Sequence, residues 1–154
     1  IGIYAVSSFV CMIIIAIILG SDIGIGDSWS IPLKNGYELT SVDTPEYANI
    51  NSRNDPSKEN LIDEITHIQV VGDSVIGKEA DGNYFIFNLQ NGDKEDNLNY
   101  QNFTTKMKSR SITLVNNNTY YWEQRKVPYI IAGIFCLLIT ILAIKTFWRI
   151  ALIC

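Results

Sequence analysis

One stretch decides the fold of this chain: residues 127–148 read VPYIIAGIFCLLITILAIKTFW. No charged residue occurs from Val127 to Ile144. At 1.5 Å per residue, a helix of about twenty residues spans about 30 Å, the thickness of the hydrocarbon core of a bilayer. Pro128 suits the first turn of a helix, where its missing N–H is not needed. The stretch therefore predicts a transmembrane helix over residues 127–148, followed by a short tail at residues 149–154.

Polar and aromatic side chains flank this stretch as they do at membrane interfaces. Tyr and Trp favour the headgroup region, and the long side chains of Lys and Arg reach it from within the bilayer. A buried helix of a soluble core is the alternative, but residues 22–126 are too few to cover two such helices. The residues predicted to lie at the membrane interfaces are Tyr120, Tyr121, Trp122, Arg125, Lys126, Tyr129, Lys145, Trp148 and Arg149.

The other end of the chain has the same character. Residues 1–21 read IGIYAVSSFVCMIIIAIILGS, carry no charge, and predict a first transmembrane helix that serves as a signal anchor. A cleaved signal peptide is the alternative, with Ile18 and Gly20 at the −3 and −1 positions of the cleavage site. The apolar run exceeds the roughly 7–15 residues of a signal-peptide core, which favours the anchor. Because the first residue is Ile rather than Met, we expect further chain before it.

The middle of the chain, residues 22–126, is predicted to be a polar domain. It holds ten basic and all sixteen acidic residues of the chain, hence a net charge of −6. It has no basic patch, so a nucleic-acid partner is not expected. The three cysteines are Cys11, Cys136 and Cys154. Since none lies in the middle domain, we expect neither an internal disulfide nor a thiolate metal site there, and no cofactor.

Charge also bears on topology and on transport. If both apolar segments span the membrane, both termini lie on one side. Lys145 and Arg149 favour a cytoplasmic C-terminus, and long loops translocate largely regardless of charges such as Arg125 and Lys126. We therefore expect a two-pass protein whose middle domain is extracytoplasmic. Neither apolar segment has a charge at its centre, so a transporter or a channel is not expected.

Alternating apolar and polar residues predict that the middle domain is α+β, mainly an antiparallel β meander with one short helix. Asn35-Gly36 and Asn91-Gly92 are typical of hairpin turns. The polar residues 44–60 and the charged residues 93–99 are predicted to be loops. Strands are expected at residues 29–33, 37–43, 65–71, 73–79, 84–89 and 111–115, and the helix at residues 100–108.

Aromatic and glycosylation patterns add three expectations. Phe85, Phe87 and Leu89 fall on one face of a strand and are expected in the core. Trp29, Tyr37 and Tyr47 could form a surface patch, but a small core across the first hairpin is the favoured reading for Trp29 and Tyr37. The chain also contains two glycosylation acceptor patterns, which an Asn-rich sequence produces by chance. They begin at Asn102 and Asn117.

Three segments carry a family resemblance. They are Ile31-Pro-Leu-Lys-Asn-Gly-Tyr-Glu-Leu, Val75-Ile-Gly-Lys and Tyr84-Phe-Ile-Phe-Asn. Together they resemble small uncharacterised bacterial envelope proteins of the DUF3997 type, over about half of the middle domain. The second transmembrane helix departs from that family, whose members carry only an N-terminal anchor or a lipobox. The resemblance implies a bacterial envelope protein and assigns no activity.

Few residues suggest catalysis. His67 is the single histidine and is expected to be a surface histidine or one with satisfied hydrogen bonds on a strand, without the further ligands of a metal site. Ser74 lacks the surroundings of a nucleophile elbow. Acidic residues occur in two groups, and a paired-carboxylate acid–base site or a weak calcium site is the alternative to solvated loops. These carboxylates are Asp63 and Glu64 in one group, and Asp93, Glu95 and Asp96 in the other.

The sequence thus favours a non-enzymatic, membrane-anchored interaction or accessory domain of the cell envelope. Its partners would be the lipid bilayer and another envelope protein, bound through an edge strand or through residues 44–60. One alternative is an immunity-type protein that neutralises a toxin at the envelope. Another is a carboxylate-dependent envelope enzyme, a hydrolase using the acidic groups near Asp63 and Asp93.

Overall fold

The computed structural model describes residues 2–19, 28–42, 46–55, 57, 60–108 and 110–151. The chain divides into two compact units. Residues 24–122 form one unit, here called the sheet domain. Residues 1–23 and 123–154 form the other, here called the helical unit.

A single antiparallel sheet organises the sheet domain. Within the described residues it has eight strands, and the first seven neighbour one another in chain order, as the predicted meander requires. The eighth strand pairs with the fourth. The strands are β1 (Trp29–Pro32), β2 (Tyr37–Ser41), β3 (Ala48–Ser52), β4 (Ile62–Val71), β5 (Ser74–Glu79), β6 (Tyr84–Asn88), β7 (Lys94–Leu98) and β8 (Val115–Asn116).

The predicted first hairpin is confirmed. β1 and β2 pair antiparallel, with Ile31 opposite Leu39. The turn between them has positive φ at Asn35 (57°) and at Gly36 (79°). Both residue types tolerate this left-handed geometry, which matches the twist of the paired strands.

β4 contains a bulge that sequence periodicity does not reveal. Ile65 and Ile68 are three positions apart, yet both are fully buried. The β4–β5 register shifts between Ile65 and His67, and the extra residue returns the chain to the same face. The sequence places Asp63 and Glu64 before this strand. β4 begins at Ile62, however, so both residues lie within it.

Both faces of the sheet bury apolar side chains. Phe85, Phe87 and Leu89 are fully buried, which confirms their predicted face. On the opposite face, Ile76 packs with Phe103 of the short helix α2 (Tyr100–Lys106), which confirms the predicted helix. Each fully buried side chain of this size stabilises the fold by about 1.5–3 kcal/mol. The larger core comprises Trp29, Ile31, Leu39, Ala48, Ile50, Ile62, Ile65, Ile68, Val75, Phe85, Phe87, Leu89 and Tyr121.

Two segments predicted as loops contain strands. Within residues 44–60, β3 pairs with both β2 and β4 and buries only Ala48 and Ile50. Such a short alternation among asparagines is a weak signal. Within residues 93–99, β7 is an edge strand in which Leu98 is the apolar residue. An edge strand tolerates charges because its outer side faces solvent, and they discourage pairing with other chains.

The strand predicted at residues 111–115 is largely wrong. Only Val115 of that segment belongs to β8. The side-chain amide of Gln69 on β4 donates to the Ser111 carbonyl at 3.0 Å and accepts from the Thr113 N–H at 2.7 Å. These two bonds replace part of a strand ladder, so the segment lies beside β4 without forming a longer strand.

Two apolar helices belong to the chain ends: α1 (Gly2–Leu19) and α3 (Asn117–Ala151). The predicted start of the second helix at residue 127 is wrong, because α3 begins ten residues earlier. The side chain of Asn116 accepts a hydrogen bond from the Thr119 N–H at 2.7 Å, a typical N-cap. Pro128 therefore lies inside the helix and not in its first turn. It cannot donate to the Gln124 carbonyl.

α3 is the one described helix long and apolar enough, by length and composition, to cross a membrane. The candidate span is Asn117–Thr146, with a mean hydropathy of 2.6 and 11% of its most apolar stretch buried. The apolar stretch of α1 among the described residues, Tyr4–Ile14, is too short to meet the same criteria. Of the two predicted spanning helices, only the C-terminal one is therefore a candidate span among the described residues.

Candidate functional site

Asn117 joins the start of α3 to the sheet. Its side chain is 1% exposed, and its Nδ2 donates to the Glu46 carbonyl at 3.0 Å and to the Ile65 carbonyl. One amide group thus satisfies two backbone acceptors from the segment before β3 and from β4. The acceptor pattern at Asn117 is consequently inaccessible in the folded domain, whereas Asn102 is exposed.

Tyr121 lies one helical turn after Asn117 and packs into the larger core. Its ring centroid is 5.1 Å from that of Trp29. Tyr37 instead contacts Phe87, edge to face, at 5.1 Å. Trp29 and Tyr37 therefore do fill a core, but each against a different partner and not against one another across the hairpin.

The predicted membrane-interface residues occupy different surroundings. Tyr120 and Tyr121 pack against the larger core of the sheet domain. In the helical unit, the Arg125 Nη1 donates to the Tyr129 hydroxyl at 2.7 Å, and the Arg125 side chain is buried. Contact of these residues with lipid stays a prediction. The exposed members of the set are Trp122, Lys126, Lys145, Trp148 and Arg149.

A cleft of about 410 Å³, here called the His67 cleft, opens where three parts of the sheet domain meet. These parts are the segment before β3, the middle of β4, and the turn from β8 into α3. The hydrogen bonds of Asn117 hold the three parts together. The cleft is lined by Glu46, Tyr47, Thr66, His67, Asn116, Asn117, Asn118 and Thr119.

Hydrogen bonding fixes the orientation of His67. The Thr66 hydroxyl donates to the Lys78 carbonyl at 3.0 Å, so its oxygen is left as an acceptor. The His67 Nδ1 lies 3.1 Å from that oxygen. In a neutral imidazole the proton then belongs on Nδ1, and Nε2 carries the free lone pair. The exposed ring of His67 thus offers an acceptor.

The lining combines one exposed aromatic ring with polar groups. Tyr47 is 45% exposed and is surrounded by amide and hydroxyl groups. Surfaces that combine Tyr with Asn and small polar residues form adaptable hydrogen bonds around a rigid aromatic contact. Ser74 lies elsewhere, in a shallow hollow with Asp73 and Arg110. No group of three or more potential metal ligands occurs in the described part of the chain.

The acidic residues gather around a carboxyl that the sequence did not single out. Partial burial raises the pKa of Glu79, and the nearby charges of Asp81, Asp96 and Asp63 raise it further. Lys94 lies 3.0 Å from Asp96, and its hydrogen bond lowers the pKa of that carboxyl. Asp63 and Asp96, from the two predicted acidic groups, therefore both lie near Glu79.

Of the remaining predicted carboxylates, Glu64 lies on β4, where its backbone carbonyl accepts a hydrogen bond from the Ala80 N–H at 2.9 Å, whereas Asp93 and Glu95 have other partners. Asp93 closes a turn with Asn91, and Glu95 forms an ion pair with Lys106. The sequence does not single out Glu79 because two of the carboxylates around it, Asp63 and Asp96, are distant in the chain. β4 and β7 bring them close to it.

Replacement of Glu79 by Gln is expected to stabilise the sheet domain at neutral pH. A carboxyl with a raised pKa in the folded chain favours folding at pH values below its pKa in the unfolded chain, which is near 4.3. This stabilisation is lost as the pH rises through the pKa of the folded chain, because the folded protein must then hold a charge that is partly buried. Since Glu79 is half-buried, screening limits the gain from Glu79→Gln to about 0.5 kcal/mol. Urea unfolding of the full chain at pH 7 and pH 3.5 tests this. An equal gain at both pH values would contradict the ionic explanation.

Comparisons of the chain with protein-family models, with curated proteins and with solved structures found no match. The resemblance to the DUF3997 type stays a prediction.

Proposed function

We propose that this chain is a membrane-anchored interaction domain of the cell envelope, and that the His67 cleft binds a segment of another envelope protein. The observation that carries this proposal is the composition of the cleft. An exposed aromatic ring, Tyr47, lies within hydrogen-bonding groups that are held in place by the buried amide of Asn117.

The proposed membrane anchor is α3. The proposed two-pass topology requires that α1 also spans the membrane. α1 carries no charge from Gly2 to Leu19, and large apolar side chains such as Val6 and Ile17 are exposed on it. Exposed apolar side chains are costly in water and favourable in lipid. The basic residues Lys145 and Arg149 near the end of α3 support a cytoplasmic C-terminus and hence an extracytoplasmic sheet domain.

The chemistry of the cleft defines the partner. His67 supplies an acceptor, the amides of Asn116 and Asn118 supply donors and acceptors, and Glu46 supplies one carboxylate. We expect an extended polar segment that carries an apolar residue to pack against Tyr47. The cleft narrows the expected contact within residues 44–60 to Glu46 and Tyr47, since β3, which follows them, is already paired on both sides.

A cysteine placed at position 118 tests both the side of the membrane on which the sheet domain lies and the binding of a partner in the cleft. In a chain whose three native cysteines are serine, Asn118→Cys is labelled in intact spheroplasts with a membrane-impermeant maleimide that carries a photoreactive group. We expect labelling from outside and, after illumination, one discrete adduct. Adding Tyr47→Ala should remove the adduct without removing the label.

Tyr100→Cys, at an exposed position on α2, is the matched control and should be labelled without forming that adduct. Labelling of both positions only after lysis would overturn the extracytoplasmic placement. An adduct at both positions, or one that persists with Tyr47→Ala, would overturn the binding role of the cleft.

The carboxyl groups around Glu79 favour a second candidate, the carboxylate-dependent enzyme. A carboxyl with a raised pKa is what a general acid requires at neutral pH. Glu79→Gln separates the candidates, because it removes the acid while it stabilises the fold. A Glu79→Gln strain that keeps the wild-type phenotype would remove the enzyme candidate, and loss of the phenotype with a folded protein would favour it.

A further inference from the structure

Two cysteines meet inside the helical unit. Cys11 of α1 lines the same groove as Phe135 and Ile139, which flank Cys136 on α3, so the two thiols lie close enough to interact. Their side chains are 8% and 1% exposed, and neither is in a disulfide. Each lies near the middle of its apolar segment.

The surroundings of this pair are apolar. On α3, buried Ala132 lies one turn before Cys136, whereas Phe135 and Ile139 are exposed beside a groove that they share with Val10 of α1. Small residues at a helix–helix contact allow the backbones to approach closely. The contact therefore brings together two side chains that can be joined covalently without adding a charge.

We propose that Cys11 and Cys136 form a redox pair that closes into a disulfide joining α1 to α3. A disulfide suits this position because it is neutral and has no hydrogen-bond donor that burial would leave unpaired. The pair is independent of the His67 cleft, so the inference goes beyond the proposed function.

The closing step balances with a two-electron oxidant of the azo or quinone class. Two S–H bonds break and one S–S bond forms. The two protons and two electrons pass to the oxidant, which becomes a hydrazide or a hydroquinone. A dithiol reverses the step by thiol–disulfide exchange. Because apolar packing excludes water-soluble reagents, the oxidant has to enter lipid.

Thiol counting in membranes tests the pair. Membranes that contain the full chain are treated with diamide, a lipid-permeant azo oxidant, then quenched with acid, denatured and alkylated with a polymer-linked maleimide. Each free thiol adds one step of gel mobility. We expect the wild-type chain to fall from three alkylated thiols to one, and dithiothreitol to restore all three.

The serine variants identify the bond. Cys11→Ser and Cys136→Ser should each keep both remaining thiols after diamide, while Cys154→Ser should lose both of its thiols. Three alkylated thiols in oxidised wild type, or a disulfide that links two chains on a non-reducing gel, would overturn the proposal. If thiols of Cys136→Ser still escape alkylation after diamide, the proposal is likewise overturned.

Discussion

Replacing Gly77 by Ala is expected to unfold the sheet domain at temperatures that the wild-type chain tolerates. Gly77 lies in the middle of β5, opposite Ile68 of β4 and Phe85 of β6. A Cβ added there would lie 2.5 and 2.6 Å from Cε1 and Cζ of the Phe85 ring, and would also meet the backbone carbonyl of His67. Neither neighbour can move freely, because Phe85 is fully buried and His67 is held in the sheet.

The cost of this overpacking is estimated at about 3 kcal/mol. For a domain of this size, that loss corresponds to a fall of roughly 10–25 °C in the midpoint temperature. Thermal unfolding of the full chain in detergent, followed through Trp fluorescence, measures it. Gly133→Ala is the matched control, because a Cβ at Gly133 meets nothing within 4 Å. Equal midpoints for the two variants would show that the close approach at Gly77 is not rigid.

Replacing Asn117 by Asp is expected to be the most damaging isosteric change in the domain. The wild-type amide donates to the Ile65 and Glu46 carbonyls, and a carboxylate would face both oxygens with no proton to donate. Two unsatisfied carbonyls and a buried charge together cost about 3 kcal/mol or more. Burial would also raise the pKa of the new carboxyl, so its protonated form, which can donate one bond, is favoured at low pH.

Asn117→Asp therefore carries a pH signature. The loss of unfolding free energy, relative to wild type, should be large at pH 7 and smaller at about pH 4, near the ordinary value of an aspartic acid. Urea unfolding at the two pH values measures it. Asn118→Asp is the adjacent control, since Asn118 is exposed, and it should change stability little at either pH. A loss that does not depend on pH would indicate that shape, and not hydrogen bonding, decides this position.

Strands whose apolar residues alternate over several positions were predictable from the sequence. The run from Tyr84 to Leu89 places three apolar residues on one face, and Asn35-Gly36 specifies its own turn. β3 and β7 were missed for opposite reasons. β3 has only two apolar residues to reveal it, and β7 is an edge strand whose stability comes from pairing with β6 and not from burial.

The candidate site was beyond sequence reasoning because its parts are distant in the chain. His67 was identified as a surface histidine, and it is exposed, as expected. Its neighbours Tyr47 and Asn118 come from segments that local patterns do not connect. Asn117 was noticed only as a glycosylation pattern, since nothing near it in sequence reports that its amide reaches two carbonyls more than fifty residues away.

Tyr121 has a consequence for biosynthesis. It is the last residue of the larger core and lies immediately before the apolar stretch that begins at Val127. During synthesis the strands emerge first, but Trp29 lacks its aromatic partner until nearly the whole middle of the chain has been made. The domain therefore acquires its full stability only as the second apolar helix leaves the ribosome. If that helix enters a membrane as we propose, folding of the domain and insertion of the helix fall in the same short interval.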